Sequence, residues 1–391
     1  MYKRLVLNAL ATCPPRPILS LVGPRGSGKS TLIQEAFPEH PYLNLEDPST
    51  RQRALVSPDE FLHAHRNQHG IIIDEFYLAP LLAQALKKIL RQHTAPNSFV
   101  LVSSQQFFLD ASLKDYTSPF TLLPFSLLEL KSAAVLAPSI DTVIVAGGLP
   151  ARYQTTINPQ SFYPEHYQRC LERDLYPLVK ANNHHCLLRF IHLCAARTGQ
   201  LLNLESLAAH CGISAPTAKK WLQLLLNSFM VFLLPAYSPR PSANAAKTPK
   251  LYFFDTGLLC SLLQLNTAQD VLLSPLRSAL FETLVISDLH KQFCQRGKAA
   301  PLYFWRNKGG TALVPCLLAG VKTLHALDIN TAETVQSAAF HNLTRWHKLT
   351  KQEAANSLVI YPGENLQQRS TGTALGWKDF ANLVDKLEAL S

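Results

Sequence analysis

The chain has 391 residues, 47% hydrophobic and 16% charged, which is more than one hydrophobic core usually serves and too apolar for a disordered chain. Lys and Arg outnumber Asp and Glu 37 to 27, a net +10 that favours a polyanionic partner, yet no basic run marks a nucleic-acid-binding tail. The eight cysteines form no CxxC pair, no histidines stand at zinc-site spacing and no apolar stretch suits a signal peptide or a membrane span; the expected setting is a reducing cytoplasm, with no membrane partner.

Ile18-Leu19-Ser20-Leu21-Val22 is an apolar run that stops at glycine, and Thr31 to Ala36 follows with helical character. The segment between them, Gly23-Pro24-Arg25-Gly26-Ser27-Gly28-Lys29-Ser30, is therefore a loop between a strand and a helix. Glycines at this spacing let several backbone N–H groups curl around a phosphate, and the helix directs its positive end at the same anion. The expected ligand is ATP with Mg²⁺. Gly23, Pro24, Arg25, Gly26, Ser27, Gly28, Lys29, Ser30 and Thr31 are the expected nucleotide-binding residues. Lys29 is to reach the β- and γ-phosphates and so takes part in catalysis, and the Ser30 hydroxyl completes the Mg²⁺ shell.

Further apolar runs at Tyr42 to Leu45, Gly70 to Asp74 and Ser98 to Ser103, with a helical stretch at Leu81 to Arg91, predict a parallel sheet covered on both faces. Ile71-Ile72-Ile73-Asp74-Glu75 reads as a buried strand ending in two acids. Asp74 is placed to hold Mg²⁺ through its hydration shell, and Glu75 to polarise the water that attacks the γ-phosphate in line. Ser103 and Ser104, at the end of the next apolar run, either sense the γ-phosphate and orient the water or simply turn a strand into a loop.

After Ser126 the pattern becomes helical, at Leu127 to Leu136 and Tyr163 to Lys180, with the Gly147-Gly148-Leu149-Pro150 break between. Cys186 to Arg197, Asn203 to His210 and, after Gly212-Ile213-Ser214, Ala215 to Asn227 resemble a helix-turn-helix whose second helix is capped by Ser214. Lys219 and Lys220 are set to meet DNA phosphates and Thr217 to face bases; a winged helix used only for packing is the alternative. The loop Ser238 to Pro249 between the runs Val231 to Leu234 and Leu251 to Phe254 would be the wing, flanked by Lys247 and Lys250. A helix at Phe281 to His290 and strands at Leu302 to Trp305, Leu313 to Leu318, His325 to Ile329 and Ser357 to Ile360 make a third α/β unit.

Gly23-Pro24-Arg25, Ile73-Asp74-Glu75, Pro124 to Leu130, Gly147 to Pro150, Glu172-Arg173-Asp174-Leu175, Pro249 to Leu258 and Tyr303-Phe304-Trp305-Arg306 occur in an order that resembles a prokaryotic AAA-type ATPase family. Its members carry a C-terminal domain of unknown function similar to PD-(D/E)xK nucleases. The resemblance implies an α/β fold in four parts: a parallel-sheet P-loop ATPase core over 1–135, a helical connector over 136–185, a winged helix over 186–262 and a restriction-endonuclease-like α/β domain over 263–391. Two departures stand out. Leu113-Lys114-Asp115-Tyr116 replaces a Leu-Ala-Gly-Arg segment whose arginine is an accessory charge. In the tail Glu282 matches the helix acid, but Leu313-Val314-Pro315 and Asp328-Ile329-Asn330 stand where Glu-Val-Asp and Glu-Val-Lys are usual, so a metal ligand and the lysine are missing and no nuclease activity is expected. Two readings follow: an ATP-hydrolysing regulatory or DNA-associated switch, and a nucleotide-stabilised scaffold with vestigial hydrolysis in a larger assembly. Expected partners are ATP, DNA, and a protein partner or second copy of the chain.

Overall fold

The computed structural model describes residues 2–91, 95–107, 111–154, 157–238, 248–307, 313–319, 324–351 and 357–388. Two compact units emerge: Met1–Pro124 with the short pieces Leu225–Phe229 and Cys294–Lys298, and the remainder of the chain.

In the first unit, β1 (Ile18–Val22), β2 (Tyr42–Asn44), β3 (Ile71–Asp74), β4 (Phe99–Ser103) and β5 (Thr117–Thr121) form one parallel sheet in the order β2-β3-β4-β1-β5. The period-2 alternation of strands divides their side chains between two cores. Ile71, Ile73, Phe99 and Leu101 pack with the helices Pro48–Val56, Pro58–His65 and Leu82–Leu90, while Ile72, Val100 and Val102 pack with Val6–Thr12 and Lys29–Ala36. Both faces are thus covered, as continuous apolar strands require.

The strand β5 is absent from the sequence reading, because Thr117-Ser118-Pro119 lacks an apolar run. Pro119 is tolerated there because β5 pairs only with β1 and lies at the sheet edge, where the proline is exposed.

The second unit opens with the helix Leu127–Ser132, whose N-terminus carries a capping box between Ser126 and Glu129. The long helix expected to end at Lys180 is instead Pro159–Cys170, a π-helical turn Leu171–Leu175 and a short 3₁₀ turn containing Pro177, which has no N–H to continue the ladder. The Gly147-Gly148 and Asp255-Thr256-Gly257 motifs meet around Tyr163. A Cβ on Gly147 would lie 2.0 Å from the Tyr163 hydroxyl and one on Gly257 2.2 Å from its ring. Asp255 accepts the N–H groups of Gly148 (2.7 Å) and Leu258 (2.9 Å). These two motifs hold helices together.

The helices His184–Ala196, Leu204–Cys211 and Ala215–Asn227 precede an antiparallel pair, β6 (Val231–Leu234) and β7 (Lys250–Phe253). Ser214 Oγ accepts the Thr217 N–H at 3.3 Å, the expected cap. Most of the loop read as a wing, 239–247 with Lys247, lies outside the described residues. A mixed sheet closes the unit: β8 (Leu302–Arg306), β9 (Leu313–Ala319), β10 (Leu324–Ile329), β11 (Ser357–Tyr361), β12 (Gln367–Arg369) and β13 (Gly372–Gly376), in the order β12-β13-β11-β10-β9-β8. The pairs β8–β9 and β9–β10 are antiparallel and β10–β11 is parallel, over a core built on Phe340, Leu343 and Trp346. No helix among the described residues is long and apolar enough to cross a membrane.

Candidate nucleotide site

The connections at the carboxyl ends of parallel strands are where ligands bind, at the point where strand order reverses. That point is β1. The chain leaves β1 for β2 on one side of the sheet, and β5 is added on the other. The glycine-rich loop leaves β1 here and enters the helix Lys29–Ala36. It passes so close to the chain after β5 that a Cβ on Gly23 would stand 2.0 Å from the Leu122 carbonyl oxygen. Lys29 is buried, and its Nζ donates to the carbonyls of Gly23 and Pro24, both at 2.9 Å. The Ser27 hydroxyl is buried with no hydrogen-bond partner among the described residues. Gly26 and Thr31 are exposed.

The strand β4 lies between β1 and β3, which sets Ser30 opposite the acids at the end of β3. Ser30 Oγ donates to Asp74 Oδ2 at 2.5 Å, and the Glu75 N–H to Asp74 Oδ1 at 2.9 Å. Glu75 adopts the left-handed conformation at φ 53°, a strain of roughly 1–3 kcal/mol for a non-glycine residue. Its carboxylate is buried, and Oε2 accepts both the N–H and the hydroxyl of Ser104 at 2.8 Å. Burial raises the Glu75 pKa, opposed chiefly by nearby Lys29. Ser103 and Ser104 divide: Ser104 meets Glu75, whereas Ser103 Oγ donates to the Gln105 carbonyl at 2.6 Å and shapes the turn.

Three side chains that the sequence reading did not include belong to this cluster. Tyr42 of β2 donates its hydroxyl to Asp74 Oδ2 at 2.6 Å. Burial, reinforced by the Asp74 charge, raises its pKa, so it stays a donor. Arg4 is buried, with Nη1 on the Ser27 carbonyl at 2.6 Å and Nη2 on that of Leu123 at 2.7 Å, fastening the loop from behind. Glu46, just past β2, pairs with Arg25 at 2.9 Å. Single residues in ordinary surroundings leave no pattern, so only a sheet order announces them.

In the second unit Glu282, on the helix Arg277–Cys294, accepts Lys250 Nζ at 2.8 Å and the Tyr252 hydroxyl at 2.5 Å. Asp328, the next-to-last residue of β10, accepts from the Asn342 amide at 3.0 Å, and burial lifts its pKa to about 6. The antiparallel register of β9 and β10 runs as far as Leu327 opposite Cys316, one residue before Asp328. Among the described residues no three His, Cys, Asp or Glu side chains gather as a metal site.

Residues 15–131 match the family model of an AAA domain, and residues 137–269 and 277–380 match two domains of unknown function, DUF8612 and DUF4143. The chain is 26% identical over 299 residues to an uncharacterized protein of Mycobacterium bovis and to one of Mycobacterium tuberculosis, covering 75% of its own length. It spans 65% of the length of these curated relatives. Among solved structures it is similar to a Walker-type ATPase of Pyrococcus abyssi (11% identity, TM-score 0.40, 67% of this chain and 96% of that one). A second is a signal-transduction ATPase with numerous domains and a tetratricopeptide repeat sensor, from Pyrococcus horikoshii (12% identity, TM-score 0.22, 73% and 47%). The five-stranded parallel order with the loop at its switch point gives the N-terminal unit the fold of a P-loop ATPase, in keeping with the AAA-domain match over residues 15–131.

Proposed function

We propose that the chain binds ATP with Mg²⁺ at the loop Gly23–Ser30, hydrolyses it, and uses the nucleotide state as a regulatory or DNA-associated switch. The observation that carries this reading is the junction of Ser30 and Asp74, 44 residues apart in sequence and 2.5 Å apart in space, beside the buried Glu75. A hydroxyl with a carboxylate behind it suits Mg²⁺, which keeps several waters and shares its shell with phosphates. The Ser27 hydroxyl, buried in the loop with no hydrogen-bond partner among the described residues, suits a phosphate held there.

Within this reading Gly23, Pro24, Arg25, Gly26, Ser27, Gly28 and Thr31 line the phosphates, and Lys29 turns from the loop carbonyls to the β- and γ-oxygens. Ser30 and Asp74 hold Mg²⁺, which neutralises phosphate charge when bound. Glu75, raised in pKa and held by Ser104, accepts a proton from water as that water attacks the γ-phosphorus. The bond to the β-γ bridging oxygen breaks, leaving ADP, and the proton leaves with phosphate or solvent. Ser103 supports the turn that carries Ser104.

The DNA-associated part rests on the 186–262 segment. Lys219 and Lys220 are exposed on the helix after the Ser214 cap, and an isolated bridge from Leu201 to Lys250 extends the β6–β7 pair as a winged helix would. The tail presents a helix, the β8–β9–β10 meander, a second helix and the parallel β11, an order compatible with a nuclease-like domain. The function of this tail is binding.

ATP turnover of the full chain and of Glu75→Gln, each with and without DNA, tests the proposal. Turnover that falls by two orders of magnitude or more in the variant, and responds to DNA in the native chain, is the expected result, by comparison with losses of about 10²–10⁴-fold on removing a general base. Equal, negligible turnover by both proteins in both conditions would leave the scaffold reading in its place.

A further inference from the structure

The loop carries a second cation besides Lys29, and its surroundings are unusual. Arg25 Nη1 is 2.9 Å from Glu46 Oε1, and Nη2 is 3.8 Å from Glu75 Oε1. The guanidinium side chain is only 17% exposed. Glu75 is thereby held on both oxygens: Oε2 takes the two donors of Ser104, and Oε1 faces Arg25. A carboxylate so occupied is not free to receive a proton from water.

We propose that Arg25 is a γ-phosphate-sensing catalytic residue acting in cis: held by Glu46 and Glu75 without nucleotide, it transfers to the terminal phosphate of ATP and frees Glu75 to take the attacking water. The inference rests on the reading of this loop as an ATP site. The physical ground is competition for one planar fork. A guanidinium binds phosphate oxygens in a bidentate manner, and a terminal phosphate carries more charge than either carboxylate and sits on the loop to which Arg25 belongs. The contact between Nη2 and Glu75 is long, at 3.8 Å, so it yields to a terminal phosphate that engages the guanidinium. ADP lacks the displacing group, which makes the exchange selective for the triphosphate.

The test measures binding of ADP and of a non-hydrolysable ATP analogue, with Mg²⁺, to the full chain and to Arg25→Ala, Arg25→Lys and Glu46→Gln, alongside ATP turnover. Arg25→Ala is expected to weaken the analogue about tenfold or more while ADP affinity stays within roughly twofold, as the loss of one charge-assisted contact to the γ-phosphate predicts. ADP affinity reports that the variant has folded. Turnover falls with the analogue's affinity, Arg25→Lys recovers part of both, and Glu46→Gln tightens the analogue by releasing the guanidinium. Equal loss for ADP and analogue, or no loss for either, would overturn the role of Arg25 and leave the ATP site standing. A native chain that binds neither nucleotide would take down the ATP reading and this inference together.

Discussion

The Tyr42 hydroxyl and the Ser30 hydroxyl donate to the same oxygen of Asp74, at 2.6 and 2.5 Å. Ser30 is expected to turn to Mg²⁺ when the nucleotide binds, and Tyr42 then remains as the donor that fixes the carboxylate. Tyr42→Phe should raise the Mg²⁺ concentration for half-maximal analogue binding about three- to tenfold, in line with about 1 kcal/mol for one such bond. Nucleotide binding in EDTA should be unchanged. A Mg²⁺ titration followed by fluorescence of a labelled analogue reads both.

Gly23 is a packing position before it is a ligand position. A methyl group there would collide with the Leu122 carbonyl at 2.0 Å, an atom of backbone that cannot swing aside. Gly23→Ala is expected to destabilise the N-terminal unit by about 2 kcal/mol or more, as overpacking against fixed structure does. Thermal denaturation without nucleotide should show the loss, which separates it from Lys29→Ala, where the loss should lie mainly in nucleotide binding.

Lys250 and Glu282 form an ion pair whose side chains are 5% and 20% exposed. Lys250→Met leaves Glu282, among the described residues, with the Tyr252 hydroxyl as its hydrogen-bond donor, and a cost of about 2–4 kcal/mol is expected for an uncompensated, largely buried charge. Glu282→Gln, which removes the charge and keeps the shape, should cost less than Lys250→Met. EDTA should leave the thermal midpoint of the Lys29→Ala chain unmoved, since the ammonium, rather than a metal, faces Glu282. Denaturant titrations of the two variants, with a scan in EDTA, supply the comparison.

Asp328 gives a pH dependence of known sign. Burial raises its pKa from 3.8 to about 6. Between these values the folded chain holds a proton that the unfolded chain releases, so stability falls as pH rises from about 4 to about 6 and is level above. The contribution is at most about 3 kcal/mol at 1.36 kcal/mol per pH unit. Asp328→Asn should flatten this part of the profile, with native and variant midpoints diverging as pH rises from 4.5 to 6.5. Parallel profiles would show that the carboxyl ionises freely.

The N-terminal unit was the most legible part of the sequence. Its apolar runs, its glycine spacing and its acid pair are short-range patterns, and each produces its strand, loop or strand end from its own neighbours. The strand β5 was not legible, because an edge strand needs no apolar run and can accept Pro119. The α/β architecture, with its parallel N-terminal sheet and mixed C-terminal sheet, follows from the strand order.

What the sequence by itself determined was therefore the chemistry available at two strand ends: a lysine and a hydroxyl after β1, and two acids at the end of β3. Tertiary structure decided who their neighbours are. Placing β4 between β1 and β3 brings Ser104 to Glu75, pairing β2 with β3 brings Tyr42 to Asp74, and the turn after β2 brings Glu46 to Arg25. In the tail, β7 delivers Lys250 to Glu282. These contacts join residues about 20 to 30 positions apart, and periodicity carries no information over that distance; sheet order and packing do.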